Sequence, residues 1–440
     1  MHAPTHAERR LARALIALSA VFTLVSTQAL FALAGLHESH HIVDGSWLRQ
    51  LQYGSLFAAA AWLAWRRRDE AWAALLRVNP FLLGVLALGL ASALWSAAPD
   101  ITVKRIALVV GLVLIGTAAG PPLVDARQLL RTVLATLTVL AALSAVVAVA
   151  APSVGTDLAL GGAWRGILWH KNMLGSICAF CTVLWLWAML DDRAHPGRCL
   201  AGLLFSVFVL VMARSSTALL VAAAGSAIYL LLRRRYWADR HVLPAAALLC
   251  FVAALVGLHF FYVYANRLPT WDELAGPVTA LFNKSTDLTG RSELWDLVLL
   301  SVAHRPWLGV GYGAFWLGAG GPSQYIADAL HWMPLTAHNG YLDILNELGA
   351  AGLALMAGML VWHLAQLARL MRVDRPTAAV HLGLLALMAI NNFSESELLK
   401  DVLFQNIFFI YSSTAVSATL HLHRRRAAPA PAPMGLRGYA

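Results

Sequence analysis

The sequence predicts an all-α, polytopic membrane protein. Hydrophobic residues make up 59% of its 440 residues and charged residues only 13%, whereas a soluble domain has about 25% charged residues. About twelve apolar runs are long enough to cross a bilayer, which takes ~20 residues. Their approximate ranges are 11–36, 50–65, 71–95, 101–119, 128–151, 172–190, 199–213, 217–232, 242–262, 340–366, 376–393 and 402–420.

Short basic clusters between these runs predict the orientation. Clusters such as Arg66–Arg67–Arg68 and Arg233–Arg234–Arg235 all fall on one side of the predicted membrane. The positive-inside rule then places both termini in the cytoplasm. A nucleic-acid-binding protein would gather its basic residues on one face, and this chain spreads them between apolar runs. We therefore interpret the net charge of +10 as a marker of membrane topology. The expected partners include membrane lipids and no nucleic acid.

This pattern divides the chain into four segments. Residues 1–262 hold nine predicted spans, 263–337 form a large outer loop, and 338–426 hold three more spans. The Ala/Pro-rich residues 427–440 are predicted to be a disordered cytoplasmic tail. A loop of this length in a compact protein is usually functional.

The outer loop contains one predicted amphipathic helix, over residues 289–304, with Leu294, Leu297 and Val298 on one side. Pro306 and a glycine run at 309–313 end it, and we interpret the glycines as tight turns.

The chain gives no signal for a cofactor or a metal. Its four cysteines lie within or beside apolar runs, which argues against a disulfide framework and a metal cluster. An Asp-x-Asp motif, which often holds the metal of nucleotide-sugar transferases, does not occur in the sequence. The cysteines are Cys178, Cys181, Cys199 and Cys250.

Several cations on the predicted outer side oppose the orientation bias. Singly, each can be a surface or snorkelling side chain; together they predict an outward-facing anion site. Arg291 lies in the first turn of the loop helix, where a cation opposes the helix dipole and a docked anion would remove the conflict. The candidate anion-binding residues are Arg291, Arg214, Arg165, Arg105 and Lys104.

The strongest local signal is the segment HNGYLDILNELGAAG at 338–352. His338 precedes a span, and a neutral imidazole there can take a proton from a hydroxyl. Asn339, Asp343 and Glu347 recur every four residues and form one polar helix face, a candidate acceptor or supporting surface. Two small residues in the segment favour close helix contact: Gly349 and Gly352.

A second polar group, WHKN, begins another span. Its residues His170 and Lys171 are further candidates for the acceptor site or its support. Capping by Asn172 beside an interfacial Trp169 explains the group equally well.

These segments together resemble the O-antigen ligase and polymerase family. The matching stretches are LWSAAPDITVKR (94–105), WRGILWHKNMLG (164–175), TGRSELW (289–295), HRPWLGVGYGAF (304–315) and HNGYLDILNELGAAG (338–352). The last fits the ligase pattern of His-[Asn/Ser/Gln], nine residues, then Gly-x-x-[Gly/Thr/Tyr]. WHKN is closer to exopolysaccharide-producing members.

The resemblance implies a membrane glycosyltransferase of the GT-C-like type in the bacterial inner membrane. Its donor would be an undecaprenyl-diphosphate-linked polysaccharide and its acceptor the lipid A–core oligosaccharide, joined on the periplasmic face. By position, His338 matches the family's proposed catalytic His and Arg291 the essential Arg of the outer loop. Arg214, in MARSSTALL, lies about two positions earlier than the family's other Arg.

Arginines can stabilise a diphosphate leaving group, so the resemblance and the residues predict a metal-independent, inverting ligase. Two alternatives remain within the family: a polysaccharide polymerase and a protein O-oligosaccharyltransferase. From another class, a transporter of lipid-linked sugars would show paired repeats or broken helices in both halves, and the sequence shows neither.

Overall fold

A computed structural model describes residues 3–34, 47–192, 195–234, 270, 291–400 and 402–427. Apart from one short antiparallel ribbon, β1 (Thr156–Asp157) and β2 (Ala163–Trp164), the described elements are helices. In chain order they are α1 (His6–Leu24), α2 (Thr27–Leu33), α3 (Trp47–Arg66), α4 (Arg68–Leu75), α5 (Pro80–Ala91), α6 (Pro99–Ala119), α7 (Ala126–Ala150), α8 (Pro152–Gly155), α9 (Lys171–Leu190), α10 (Pro196–Met212), α11 (Ser216–Arg233), α12 (Arg291–His304), α13 (Gln324–Leu330), α14 (Gly340–Leu370), α15 (Arg375–Asn391) and α16 (Phe404–Ala427).

Several helices begin where side chains cap them. Thr5 and Glu8 form a capping box at α1, and Asp125 and Gln128 form another at α7. These side chains satisfy amides that have no partner within the helix. The apolar runs between such caps become the helices, as the sequence predicts.

The all-α membrane fold is confirmed. Five described helices, α6, α7, α9, α11 and α14, are long and apolar enough to cross a membrane, and a bent pair makes six. The count of twelve stays a prediction, and the run 242–262 lies outside the described residues. So do 271–290 of the predicted loop and the tail from 428 onward.

Two predicted runs are interrupted rather than continuous. The run 11–36 ends its first helix at Leu24, and Ser26 caps a separate short helix, α2. The run 71–95 bends by 85° between α4 and the segment Pro80–Leu94. Asn79, whose side-chain oxygen accepts from the Phe81 amide at 3.1 Å, starts the second segment.

The long helix α14 is broken at Gly349, where φ is 65° and ψ is −167°. A Cβ at Gly349 would lie 2.2 Å from the carbonyl carbon of Trp307, so the glycine allows contact with a loop backbone, not with a helix as predicted. The amides of Val310 and Ala350 bond the carbonyls of Asn346 and Pro306 at 3.0 and 2.8 Å. Backbone from 306–311 therefore fills the break.

The expectation that no helix would be broken was thus wrong. An interrupted apolar segment occurs in each half of the chain, at the α4–α5 bend and at Gly349. The glycine run that follows Pro306 does form turns: Gly309, Gly311 and Gly313 all have positive φ.

The packing of α11 on α15 places two distant segments side by side. A Cβ at Gly225 would lie 3.0 Å from the Gly383 carbonyl oxygen, so the glycines permit close helix approach. Arg375, at the start of α15, donates to the carbonyl of Leu232, at the end of α11, at 3.4 Å. The helices are therefore antiparallel, and the start of α11 lies beside the end of α15.

The predicted loop helix is present as α12 and packs in a small second core. Leu294 and Val298 are fully buried, and Leu297 is partly buried against Phe315 and Trp316. This core joins α12 to the segment that precedes α14.

Candidate active site

Three distant segments of the chain converge on the carboxylate of Glu395, in the turn between α15 and α16. Asn172 Nδ2 donates to Glu395 Oε1 at 2.8 Å. Arg291 Nη2 lies 3.5 Å from the same oxygen. His338 Nδ1 lies 3.3 Å from Glu395 Oε2. We call these four residues the His338 cluster.

The backbone holds His338 in a rare conformation. Its φ is 49°, in the left-handed region that non-glycine residues seldom adopt. Residues in such sparsely populated regions cluster at functional sites. Asn339 then caps α14, its side-chain oxygen accepting from the amides of Tyr341 and Leu342 at 3.1 and 3.2 Å. The His338 side chain is one-third exposed, so a substrate can reach it.

The turn that carries Glu395 is fixed to the start of α14. Gly340 donates its amide to the carbonyl of Asn392 at 2.8 Å, and a Cβ at Gly340 would lie 2.2 Å from Asn392 Oδ1. That oxygen also accepts from the amides of Glu397 and Leu398 at 3.1 and 3.0 Å. Gly340 thus allows the approach that brings Glu395 to His338.

The neighbours of Glu395 favour its ionised form. Burial raises the pKa of Glu395. The hydrogen bond and charge of His338, the charge of Arg291 and the hydrogen bond from Asn172 lower this pKa by more, so it lies below the usual value for Glu. An ionised carboxylate can only accept hydrogen bonds. His338 Nδ1 must therefore donate, which leaves Nε2 as the ring nitrogen that can take a proton.

Arg291 reaches the cluster because α12 is docked on the His338 segment. Trp295 Nε1 donates to the carbonyl of Ala337 at 2.8 Å, and Leu294 and Val298 are buried below it. Arg291, the first residue of α12, then points its guanidinium at Glu395.

A second group of cations flanks the cluster. Lys171 Nζ donates to the Arg214 carbonyl at 3.5 Å, and Arg214 Nη1 donates to the carbonyl of Gly161 at 2.6 Å. His170 caps α9 by accepting from the Asn172 amide at 3.2 Å, and burial lowers the pKa of its imidazole. Arg214, like His338, has a φ of 49°.

Comparison with known proteins shows what this chain is similar to. Residues 201–357 match a family model described as O-antigen ligase, a stretch that contains Arg214, Arg291 and His338. The exopolysaccharide production protein ExoQ of Rhizobium meliloti is 30% identical over 207 residues. The resemblance to the O-antigen ligase family is confirmed. The ExoQ match spans 45% of each chain, so this chain covers less than half of that relative's length.

The other predicted cations lie on different partners. Arg165 Nε donates to the carbonyl of Val154 at 2.9 Å. Arg105 Nη1 donates to the carbonyl of Gly313 at 2.6 Å. Lys104 pairs with Asp100 at 3.6 Å on an exposed helix face. Among the described residues, Arg291 is thus the predicted anion ligand that contacts the His338 cluster. Arg214 lies beside Lys171, which precedes Asn172 of that cluster.

Asp343 and Glu347 form a separate, buried group with Lys400, which we call the Lys400 cluster. Lys400 Nζ lies 3.5 Å from Asp343 Oδ2 and 3.2 Å from Glu347 Oε1. The remaining oxygens accept from Trp316 Nε1, from the Ala337 amide and from the Gly313 amide, at 2.7, 3.2 and 2.8 Å. This arrangement favours support of the site over contact with an acceptor.

Two features were not predicted from the sequence: Glu395 as a site residue, and Lys400 as the partner of Asp343 and Glu347. Glu395 and Lys400 both lie in NNFSESELLKD (391–401), a polar stretch between two apolar runs, which also lies beyond the residues matched to the O-antigen ligase model. Such polarity at the outer end of two predicted spans was the available signal. Asn172 was recognised in WHKN, but only as a cap.

Proposed function

We propose that this chain is a glycosyltransferase that moves a polysaccharide from undecaprenyl diphosphate to a hydroxyl of lipid A–core oligosaccharide. The observation that carries the proposal is the His338 cluster, in which a carboxylate orients a partly exposed histidine beside an arginine. The ligase-family match over this region supports the same chemistry.

In this mechanism His338 acts as the general base. Glu395 fixes the Nδ1 proton, so Nε2 faces the acceptor and takes the proton of its hydroxyl. The acceptor oxygen bonds to the anomeric carbon as the bond from that carbon to the diphosphate oxygen breaks. One direct displacement inverts the anomeric centre, and Glu395 stabilises the imidazolium that forms.

Arg291 and Arg214 bind the diphosphate in this proposal. Negative charge grows on the leaving oxygen as the glycosidic bond breaks, and guanidinium groups can donate two parallel hydrogen bonds to it. Arg291 contacts Glu395 through a single 3.5 Å approach, so the donor can draw it away. These arginines carry the charge stabilisation without a metal, and turnover should survive EDTA.

The relative ExoQ favours one second candidate, a polysaccharide polymerase. The same base and arginines would then join two lipid-linked chains, with a sugar hydroxyl of one as the acceptor. The two functions differ in the acceptor alone.

Gene deletion separates the candidates. A ligase predicts loss of long-chain lipopolysaccharide with intact core and accumulation of lipid-linked polymer, whereas loss of the polymer itself indicates a polymerase. Purified protein with a lipid-linked donor tests the enzyme class, since movement of the donor without a new covalent bond would indicate a transporter.

We further propose that the site faces the periplasm of the inner membrane and that both termini are cytoplasmic. The basic side chains of Arg131, Arg233 and Arg375 lie at the opposite end of the bundle from His338, as the positive-inside rule requires. A reporter fused after Arg426 should be active only in the cytoplasm, and one placed within 305–330 only in the periplasm.

A further inference from the structure

The end of the bundle opposite His338 carries a helix suited to a membrane surface. α4 turns by 85° away from the segment Pro80–Leu94. Trp72 and Leu76, on and just after α4, are 62% and 69% exposed. A helix that runs across the bundle with exposed Trp and Leu is typical of the membrane–water boundary. The α4–α5 bend therefore fits a position at the depth of the lipid headgroups.

Two hydrogen bonds hold this bend against the C-terminal halves of α14 and α16. Asn79 Nδ2 donates to the Met359 carbonyl in α14 at 2.8 Å. Ser417 Oγ in α16 donates to the Arg77 carbonyl at 3.0 Å. The bend and these two helix segments enclose a cleft of about 380 Å³.

The lining of this cleft combines positive charge with apolar surface. Arg77, Arg369, Arg424 and His421 supply the basic groups, and none of the described residues that line the cleft is acidic. The neighbouring cleft of about 450 Å³ differs, because Asp69 and Glu70 line it. The apolar lining residues of the first cleft are Leu76, Val78, Pro80, Trp362 and Leu420.

Two arginines of the cleft donate to neutral acceptors within the described chain. Arg77 Nη1 donates to the Ala73 carbonyl, and Arg369 Nη1 donates to Gln366 Oε1 at 3.1 Å. Gathering like charges in one cleft costs free energy, and an anion between them would remove that cost. Guanidinium forks match phosphate oxygens, and basic pockets between helices at the cytoplasmic side suit lipid head groups.

We propose that this cleft binds the phosphate of an anionic phospholipid of the phosphatidylglycerol type. Arg77, Arg369 and Arg424 hold the phosphate, and the acyl chains run along Trp362 and Leu76. The site is independent of the proposed glycosyl transfer.

Native mass spectrometry of the purified full-length chain tests this site. With phosphatidylglycerol and phosphatidylcholine of equal acyl chains, we expect one phosphatidylglycerol to be retained more strongly. Replacing three arginines by Gln (Arg77→Gln, Arg369→Gln and Arg424→Gln) should weaken its retention by on the order of a thousandfold, because each loses a charge-assisted hydrogen bond to the phosphate. Unchanged retention would overturn the proposal.

A matched control separates a built site from net charge. Arg372→Gln removes an exposed arginine one turn from Arg369, outside the cleft lining, and should leave retention unchanged. If the triple variant does not fold, Arg369→Gln and Arg424→Gln, both at exposed positions, should each weaken retention about tenfold, through loss of one charge-assisted hydrogen bond. An equal loss with Arg372→Gln, or full displacement of the lipid by equimolar inorganic phosphate, would contradict a lipid-specific site.

Discussion

Two ionic clusters lie at the same end of the bundle, and they differ in how completely their charges are satisfied. In the Lys400 cluster the side chains of Asp343 and Glu347 are 2% and 1% exposed, and every carboxylate oxygen has a partner. In the His338 cluster, His338 and Glu395 are 34% and 22% exposed. The first can hold backbone segments in place, and the second can meet a substrate.

The two clusters are also joined. Asp343 accepts from the Ala337 amide, next to His338, and Lys400 follows Glu395 in the same turn. The Lys400 cluster therefore holds the segment that carries His338 close to the segment that carries Glu395. A residue in the exposed cluster should affect turnover, whereas a residue in the buried cluster should affect folding first.

The largest expected effect is on turnover. His338→Ala should reduce the turnover number by about 10²–10⁴-fold, the usual contribution of a general base, while membrane insertion and melting temperature stay near wild type. His331→Ala is the control, since His331 is an exposed histidine of the preceding segment that also has positive φ. A variant that keeps near-normal turnover would remove His338 from catalysis.

Substitution of Lys400 should lower the free energy of unfolding by an amount comparable to the loss in transition-state stabilisation at His338. Lys400→Met leaves two buried carboxylates without their counter-ion, which typically costs about 3–5 kcal/mol. The melting temperature in detergent should fall, and adding Asp343→Asn with Glu347→Gln should recover much of it. If Lys400→Met instead raises KM at unchanged stability, this cluster binds substrate.

Substitutions of Arg291 test the proposed binding of the donor diphosphate. Arg291→Ala should lower turnover by about 10²–10³-fold, as expected for a lost donor to a developing oxyanion, and Arg291→Lys should restore only part of it, because Lys lacks the planar fork. Arg305→Ala, at an exposed position after α12, should stay near wild type. Equal activity of the Lys and Arg forms would argue against a bidentate contact.

A pH dependence of stability is expected from Glu397. Burial, with the charge of Glu395, raises the pKa of Glu397 to about 8. The folded state therefore binds more protons than the unfolded state between the ordinary Glu pKa and 8, so stability should fall as pH rises through that window. Melting curves should show this slope flattened in Glu397→Gln and unchanged in Glu293→Gln, an exposed residue of α12. A slope insensitive to Glu397→Gln would mean that this carboxyl is ionised at pH 7.

Long apolar runs and basic clusters were enough to predict the fold class and most helix positions, because both signals are local in sequence. The break at Gly349 was not predictable, since it depends on backbone from 306–311 entering the helix. Glu395 was missed for a related reason: it meets Asn172 across 223 residues and Arg291 across 104. His338 and Arg291 could be predicted as site residues because each lies in a short, recognisable motif.

Glu395 is proposed to act through His338, and a double-mutant cycle on turnover tests this coupling. Glu395→Gln, His338→Ala and the double variant are compared under single-turnover conditions with a lipid-linked donor. If the two residues act as one unit, Glu395→Gln lowers turnover and the double variant is no slower than His338→Ala alone. If the rate of the double variant falls by the product of the two single fold-changes, Glu395 and His338 act independently. That result would contradict the proposed role of Glu395 in orienting His338.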